Sequence, residues 1–204
     1  MKFGMKNSLL TGVLFFLAGC SVFGKSGVEI APYTVLQEEE NFQVRHYESL
    51  VLVTTPMATL DGQRGPFGKL FKYISGDNDE TQKIEMTAPV FMDQDQGESD
   101  TMSFVLPESF SLDTAPEPDD PSVNLESIED YTVATIRFSG RLTQENIQAH
   151  REQLDEWIKE KGLEPIGPAK AAGYNPPFTI PAMRRNEVLI PIQINDTDIA
   201  TLES

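Results

Sequence analysis

The stretch from Gly173 to Ile192 constrains the fold most, because a stiff loop leads there directly into a strand. Three prolines hold φ near about −65° and remove backbone donors, so segment 174–183 is predicted to be a loop outside any hydrogen-bonded ladder. From Glu187 onward apolar side chains recur at every second residue, which is typical of a strand with one apolar face. Pro191 then predicts an edge position or a bulge.

Two interpretations of the loop remain open. In one, Phe178 and the guanidinium groups of Arg184 and Arg185 form a lip over a pocket. In the other, the loop is a proline-stiffened hairpin whose arginines lie in water.

The length and charge of the chain limit the classes of function that it can have. A chain of 204 residues fits one domain, or two small repeats that share a core. With 39% hydrophobic residues it can bury that core. Its formal charge of −16 argues against binding a nucleic acid backbone, which depends on clustered Lys and Arg.

The first residues predict export and lipid attachment. Lys2 and Lys6 precede a short apolar run, and Leu17-Ala18-Gly19-Cys20 matches the lipobox of bacterial lipoproteins. We therefore predict a signal peptide at 1–19 and an anchored tether at 20–32, with lipidation of Cys20. Ser21 in place of Asp favours the outer membrane, facing the periplasm. The alternative is an ordinary buried cysteine after a cleaved signal; as the chain's only cysteine, Cys20 cannot form an internal disulfide.

The remaining pattern predicts an α+β fold. A helix is expected over 61–76 and a second from an N-cap at Thr143 to Lys161. Strands flank both helices, with a bulge at Glu48-Ser49. The acidic stretch 113–130 is predicted to be a solvated loop, and its later part, Val123-Asn124-Leu125, is a candidate strand. The predicted apolar stripes are Phe67, Leu70, Phe71 and Ile74 in the first helix and Ile147, Leu154, Trp157 and Ile158 in the second. The order of elements predicts two β-α-β-β units in one curled antiparallel sheet.

Motifs of catalysis and metal binding are missing from the sequence. It contains no Gly-x-Ser-x-Gly elbow, no HExxH, no Cys-x-x-Cys-His and no glycine-rich phosphate loop, so no catalytic or metal residue is predicted. The two histidines, His46 and His150, are candidates for an axial haem ligand. The competing interpretation is a core or boundary histidine bonded to a backbone carbonyl.

Four segments together resemble the SOUL, or haem-binding protein, family. They are KYISGDND at 72–79, KIEMTAPV at 83–90, FVLP at 104–107 and GYNPPFTIPAMRRNEV at 173–188. The resemblance covers roughly 33–194 and implies a domain at 33–195, followed by a tail at 196–204. It also implies a distorted antiparallel β-barrel with two helices, built from two β-α-β-β halves like effector-binding domains of the GyrI kind.

The resemblance implies a non-enzymatic protein that binds haem or a related tetrapyrrole reversibly and non-covalently. The implied groove lies between the first helix and the proline-rich loop. Its apolar wall would be formed by Phe67, Leu70, Phe71 and Phe178, and its cations for the propionates would be Arg64, Arg184 and Arg185. The family's loop lysine is not matched at 178–180, and His46 stands where many bacterial relatives carry an arginine, so no ligand role is transferred to it.

Two further hypotheses belong to other function classes. The negative charge and the acidic loop would suit an envelope interaction protein without a small ligand. A hydrolase is the third hypothesis, because GyrI-like relatives include hydrolases of small electrophiles. Its candidate bases are Glu85 and Glu187, the carboxylates nearest to the family segments.

Overall fold

The computed structural model describes residues 27–57, 65–94 and 100–194. Its helices are α1 (Pro66–Ile74) and α2 (Gln144–Glu160), and a 3₁₀ turn covers Pro181–Met183. Its strands are β1 (Glu29–Ile30), β2 (Thr34–Glu39), β3 (Phe42–Pro56), β4 (Thr87–Ala88), β5 (Val90–Asp93), β6 (Thr101–Val105), β7 (Asn124–Phe138), β8 (Glu164–Pro165), β9 (Lys170–Gly173) and β10 (Asn186–Gln193).

Six antiparallel strands close into a barrel. Their order is β3-β6-β5-β9-β10-β7, and pairing of β3 with β7 closes the ring. The first half contributes β3, α1, β5 and β6, and the second contributes β7, α2, β9 and β10. The predicted antiparallel barrel of two β-α-β-β units with two helices is therefore confirmed.

The barrel wall is buried on both of its faces. A cluster inside the barrel takes at least one side chain from each of the six strands, among them Leu52, Phe91, Val105, Val133, Ala172 and Leu189. The outer face is covered by the helices, so β10 is buried from Asn186 through Ile192. The prediction of a single apolar face for this strand is therefore wrong, because a helix-covered barrel buries alternate residues on opposite sides.

Helix α2 forms as the sequence predicts. The Thr143 side chain accepts a hydrogen bond from the Asn146 backbone N–H at 3.4 Å, the interaction expected of an N-cap. The buried residues of the helix are Ile147, Leu154, Trp157 and Ile158, which is the predicted stripe. They pack on the outer faces of β7 and β10, and Trp157 stacks on Phe42 at 5.1 Å between ring centroids.

Helix α1 turns a different face to the sheet than the sequence predicts. Its buried residues are Leu70, Tyr73 and Ile74. Phe67 and Phe71, which the pattern assigns to the packed stripe, are 46% and 51% exposed. Tyr73 takes the inner position because its hydroxyl can donate to the Pro116 carbonyl at 2.8 Å, which satisfies its polar end while the ring is buried. The start of the predicted helix at 61–64 lies outside the described residues.

Strands β3 and β7 are longer than predicted. They pair in one register from Phe42↔Ile136 to Thr54↔Asn124, so neither strand carries an unmatched extra residue. The pairing is nevertheless interrupted at Glu48 and the opposite Asp130, whose φ is 51°, so the irregularity expected at Glu48-Ser49 is present but involves both strands. Strand β7 begins at Asn124, which agrees with the short strand predicted at the end of the acidic stretch and joins it to the next strand.

Pro191 lies in a central strand, neither at an edge nor at a bulge. Strand β10 pairs with β7 on one side, and on its other side with β9 up to Leu189 and with β8 from Ile192. Pro191 therefore faces the interval between two short strands. Its carbonyl accepts from the Ile166 N–H at 2.9 Å on that side. The same edge of the residue would carry the missing N–H, so no ladder hydrogen bond is lost there.

The segment before β2 belongs to the fold. Strand β1 pairs in parallel with β4, and the Ala31 N–H donates to the Ala88 carbonyl at 2.9 Å. Ala31 is 3% exposed and packs in the cluster inside the barrel. The tether predicted for 20–32 is therefore wrong for its last residues. Cys20 and the rest of the predicted leader and tether up to residue 26 lie outside the described residues.

Within the ranges that the structure describes, neither helix has the length and apolar character needed to cross a bilayer.

Gly167 provides a test of the interval between β8 and β9. A Cβ at this position would lie 2.8 Å from Pro191 Cγ, a ring atom of a central strand that cannot move aside easily. We expect Gly167→Ala to lower the free energy of unfolding by about 1–3 kcal/mol, the usual cost of overpacking. Gly65→Ala is the matched control, because a Cβ there meets nothing within 4 Å. Urea denaturation of both variants measures the difference, and equal stabilities would contradict the packing described here.

Candidate functional site

Two surfaces are candidate sites, and each contains at least one residue that sequence analysis singled out. The first, called the aromatic patch, consists of Phe67 and Phe71 on the outer side of α1. The second, called the arginine cleft, lies at one end of the barrel and contains Arg45, Arg137 and Arg185.

The aromatic patch is an exposed pair of nearly parallel rings. The centroids of Phe67 and Phe71 are 6.2 Å apart, and their planes differ by 12°. Phe67 also packs edge-on against Phe104 of β6 at 5.1 Å, which fixes the patch to the barrel wall. Two half-exposed phenyl rings on one helix face provide a flat apolar surface.

The other predicted residues of α1 lie in different environments. Leu70 is 0% exposed and belongs to the core beneath the helix. Lys69 donates to the Ser122 hydroxyl at 2.9 Å, and Lys72 pairs with Asp77 at 3.3 Å, so both lysines of the helix have partners of their own. Arg64 lies outside the described residues.

The proline-rich loop exposes several apolar side chains. Phe178, Ile180 and Met183 are 86%, 63% and 72% exposed. Arg184 is directed back into the loop, where its Nε donates to the Thr179 carbonyl at 2.9 Å and its Nη2 to the Pro177 carbonyl at 2.5 Å. Arg184 thus stabilises the loop conformation. Of the two interpretations of the loop, the structure supports a stiffened hairpin with an exposed apolar tip, but Arg184 does not lie in water as that interpretation expects, because it is bonded to loop carbonyls.

Arg185 is directed away from α1, toward Glu187 and the N-terminal segment. Its Nε donates to Glu187 Oε1 at 2.8 Å, and its Nη2 donates to the Tyr33 hydroxyl at 3.1 Å. Its guanidinium also lies 3.8 Å from the centroid of the Tyr174 ring. The structure therefore brings Phe67 and Phe71 together and assigns Arg185 to the other surface.

Glu187 is a buried carboxylate whose acceptor positions are all occupied. It is 0% exposed, and Arg45 of β3 binds it with two hydrogen bonds of 2.6 and 2.9 Å. Arg185 adds the third bond, and the Tyr174 hydroxyl donates the fourth at 2.8 Å. Because a carboxylate offers about four lone-pair sites, Glu187 has no capacity for another donor.

These contacts set the ionisation of the cluster. Burial works to raise the pKa of Glu187, but the charge of Arg45 and its hydrogen bonds, with further help from Arg185, outweigh it and hold the pKa below its ordinary value. Burial raises the pKa of the Tyr174 hydroxyl well above its usual range. At neutral pH the cluster therefore contains two cations, one anion and a neutral phenol.

The arginine cleft opens beside this cluster. It has a volume of about 580 Å³ and lies between the N-terminal segment 30–35, side chains of β3 and β7, and Arg185 just before β10. Arg45 is 2% exposed, Arg185 is 13% exposed, and Arg137 is exposed at the opening. Gln43 accepts from Arg45 Nε at 2.6 Å, and two acids, Glu38 and Glu40, lie on the rim.

Neither histidine lies on α1. Nδ1 of His150 is 2.6 Å from the Asn146 carbonyl, and the ring stacks on Phe138 at 4.0 Å between centroids. Nδ1 of His46 is 3.0 Å from the Thr132 hydroxyl. Within the described part of the chain, no group of three or more His, Cys, Asp or Glu side chains could hold a metal ion.

Sequence reasoning missed Arg45 as a site residue. Its strand alternates, and Phe42, Val44 and His46 form the more apolar side, so the opposite side with Gln43, Arg45 and Tyr47 reads as solvent-facing. In the structure that side is the barrel interior, where Val44 and Tyr47 are both 0% exposed although they lie on opposite faces. Tyr47, two residues after Arg45, could have indicated that this face is buried, because a large aromatic side chain is unusual on a solvent-exposed face.

Comparison with solved structures finds the same fold in proteins of low sequence identity. The C-terminal domain of EcmrR has a TM-score of 0.55 at 11% identity and covers 80% of this chain and 99% of that domain. A hydrolase from Listeria innocua has a TM-score of 0.54 at 9% identity and covers 76% of this chain and 93% of its own. At these identities the similarity concerns the fold alone.

Comparison of sequences finds relatives over most of the chain. Heme-binding protein 1 of Mus musculus is 31% identical over 182 residues, which are 82% of this chain and 94% of that protein. Heme-binding protein 2 of Mus musculus is 30% identical over 182 residues, which are 83% of this chain and 86% of that protein. The sequence profile described as SOUL heme-binding protein matches residues 28–191. The chain therefore belongs to the SOUL heme-binding protein family.

Proposed function

We propose that this protein is a non-enzymatic, lipid-anchored protein of the bacterial envelope that binds haem or a related tetrapyrrole reversibly. The observation that carries the proposal is the aromatic patch. Phe67 and Phe71 remain half exposed, nearly parallel and anchored on Phe104, in a chain of a family named for haem binding.

The aromatic patch fits a tetrapyrrole. A macrocycle presents a large flat apolar face, and stacking it on two phenyl rings removes apolar area from water at roughly 25 cal/mol per Å². Haem, when bound, supplies the spectroscopic and redox properties of its iron. The side chains that would hold it are Phe67 and Phe71 for the ring, with Lys69 and Lys72 on the same helix and Arg64 just before it as cations for the propionates.

Within the described residues, α1 contributes no histidine, so the proposed binding rests on stacking and charge without an axial ligand from this helix. Leu70 lies in the core and supports the helix from below. The proposed groove extends toward the proline-rich loop, where Phe178 offers a third, freely accessible ring. Arg184 keeps that loop stiff through its two bonds to loop carbonyls.

The geometry of Glu187 argues against the hydrolase hypothesis. A general base needs a free lone pair within reach of the substrate proton. All four acceptor positions of Glu187 are filled, and its lowered pKa makes it a weak base. The other candidate, Glu85, is exposed on the segment before β4. An envelope interaction module remains the competing function, and the exposed apolar tip of the loop would also suit it.

Haem titration of residues 21–204, followed by Soret absorbance, tests the proposed ligand and its location. We expect saturable binding that weakens about ten- to hundredfold in the double variant Phe67→Ala, Phe71→Ala, because the two truncations together lose apolar contact worth about 1.5–3 kcal/mol. Phe178→Ala tests whether the groove extends to the loop, and Arg64→Ala tests the predicted propionate contact.

The matched control is the double variant Leu112→Ala, Ile166→Ala, which removes two apolar side chains that are 44% and 60% exposed elsewhere on the surface. It should bind haem as the parent does. Equal weakening in both double variants would show nonspecific adsorption. Saturable binding that survives the loss of Phe67 and Phe71 would keep the ligand and move the site.

Membrane attachment has a separate test in Cys20. Two or three acyl chains on this residue would anchor the protein stably, whereas a single chain gives only marginal binding. We expect the full chain, expressed in a bacterium with two membranes, to incorporate palmitate and to fractionate with the outer membrane. Cys20→Ser should lose the label, and Ser21→Asp should move the protein to the inner membrane. A labelled Cys20→Ser protein would contradict the assignment.

A further inference from the structure

The arginine cleft contains more positive charge than its own acid can neutralise. Arg45 and Arg185 share Glu187, and the strand register adds a third arginine. Arg137 is the direct cross-strand partner of Glu187 in the pairing of β7 with β10. Side chains paired in this way lie on the same face of the sheet, about 4.5–5.5 Å apart at Cβ. Three guanidinium groups therefore surround one carboxylate.

Glu187 cannot accept a hydrogen bond from the third arginine, Arg137. Its oxygens already accept two bonds from Arg45, one from Arg185 and one from Tyr174. Within the described ranges, Arg137 forms no ion pair, although the register places it opposite an acid. Arg185 uses Nε and Nη2, and among the described residues its Nη1 has no acceptor. The guanidinium of Arg137 and Nη1 of Arg185 are therefore donors available to a ligand in the cleft.

The acids on the rim do not offset this excess. Glu38 and Glu40 line the opening but are exposed to solvent, and in the described part of the chain neither forms an ion pair with these arginines. Their charges are screened by water, whereas Arg45 and most of Arg185 are not. The Tyr33 hydroxyl accepts a hydrogen bond from Arg185, and the Tyr174 hydroxyl donates one to Glu187. Burial raises the pKa of Tyr174 well above its usual range, so this phenol adds no negative charge at neutral pH.

One buried hydroxyl lies next to the lining of the cleft. Among the described residues, Thr135 Oγ1 is buried without a hydrogen-bond partner, although buried hydroxyls are normally paired. Thr135 lies opposite Gln43 in the pairing of β3 with β7, and Gln43 lines the cleft, whereas Thr135 itself does not. The donors that line the cleft are therefore those of the arginines.

We propose that the arginine cleft is a second ligand site, which binds a small organic acid through its carboxylate. Arg137 and Arg185 would hold the carboxylate, since guanidinium pairs with a planar carboxylate through two parallel hydrogen bonds. Ile30, Pro32 and Val35 on the opposite wall would contact an apolar or aromatic body. The volume of about 580 Å³ lies in the range of small-molecule sites.

The proposal does not rest on haem binding. The aromatic patch lies on the outer face of the barrel on α1, and none of its residues lines the arginine cleft. The two sites would also recognise their ligands differently. The aromatic patch would recognise a flat apolar surface, and the arginine cleft would recognise a charge and a shape.

Calorimetric titration of the purified full chain with sodium benzoate tests the proposal. We expect saturable binding that weakens at least tenfold in Arg137→Gln, because this exchange removes an exposed cation without touching the Arg45–Glu187 pair. Arg141→Gln is the matched control, an exposed arginine outside the cleft. Thermal melting of each variant checks that the fold is retained, and Arg185→Gln provides an independent second loss if it folds.

Three comparisons can overturn the assignment. Benzamide has the same ring without the charge, so binding as tight as benzoate would exclude a carboxylate site. Inorganic phosphate binding as tightly as benzoate would exclude selection for an organic acid. Competition between benzoate and haem would show that the two sites are one. Absence of saturable benzoate binding, or equal binding by Arg137→Gln and the parent, would likewise contradict the proposal.

Discussion

The ion pair between Arg45 and Glu187 is the interaction on which the barrel interior depends. It joins β3 of the first β-α-β-β half to β10 of the second, with two hydrogen bonds between fully buried groups. Burying either charge alone would be costly, and breaking such a pair by removing one partner typically costs about 3–5 kcal/mol. The two halves are thus coupled electrostatically as well as by strand pairing.

The barrel interior combines this charged centre with an apolar cluster, and the helices form further apolar layers outside the wall. Leu154, Trp157 and Ile158 of α2 and Leu70, Tyr73 and Ile74 of α1 cover different regions of the wall. Because α1 has only nine residues, it can bury one narrow stripe. Because Tyr73 is buried in that stripe, Phe67 and Phe71 remain at the surface and form the aromatic patch.

Much of the fold follows from the sequence because its signals are local. The cap at Thr143, the stripe of α2 and the order of strands and helices depend on neighbouring residues, and the structure confirms them. The strands are harder to predict, because alternation along a strand identifies two faces but not what covers them. The second buried face of β10 and the interior position of Arg45 on β3 therefore cannot be read from the pattern.

The same limit explains why the sites differ in how well they can be predicted. The segments that resemble the family lie at α1 and in the proline-rich loop, so they allow Phe67, Phe71 and Phe178 to be predicted as site residues. No local signal connects Arg45, Arg137 and Arg185, which come together only through the register of β3, β7 and β10. Pro191 shows the same dependence, since a proline in a central strand is acceptable only because β9 ends and β8 begins beside it.

The distribution of charge gives the arginine cleft its physical significance. The chain has 16 basic and 32 acidic residues, so its overall field repels anions at long range. Three of the arginines nevertheless gather at one end of the barrel, two of them largely shielded from water, where a short-range interaction is strong and salt screens it little. An anion would gain nothing from this protein until it entered the cleft. Such an arrangement favours a ligand selected by close contact over one captured by electrostatic steering.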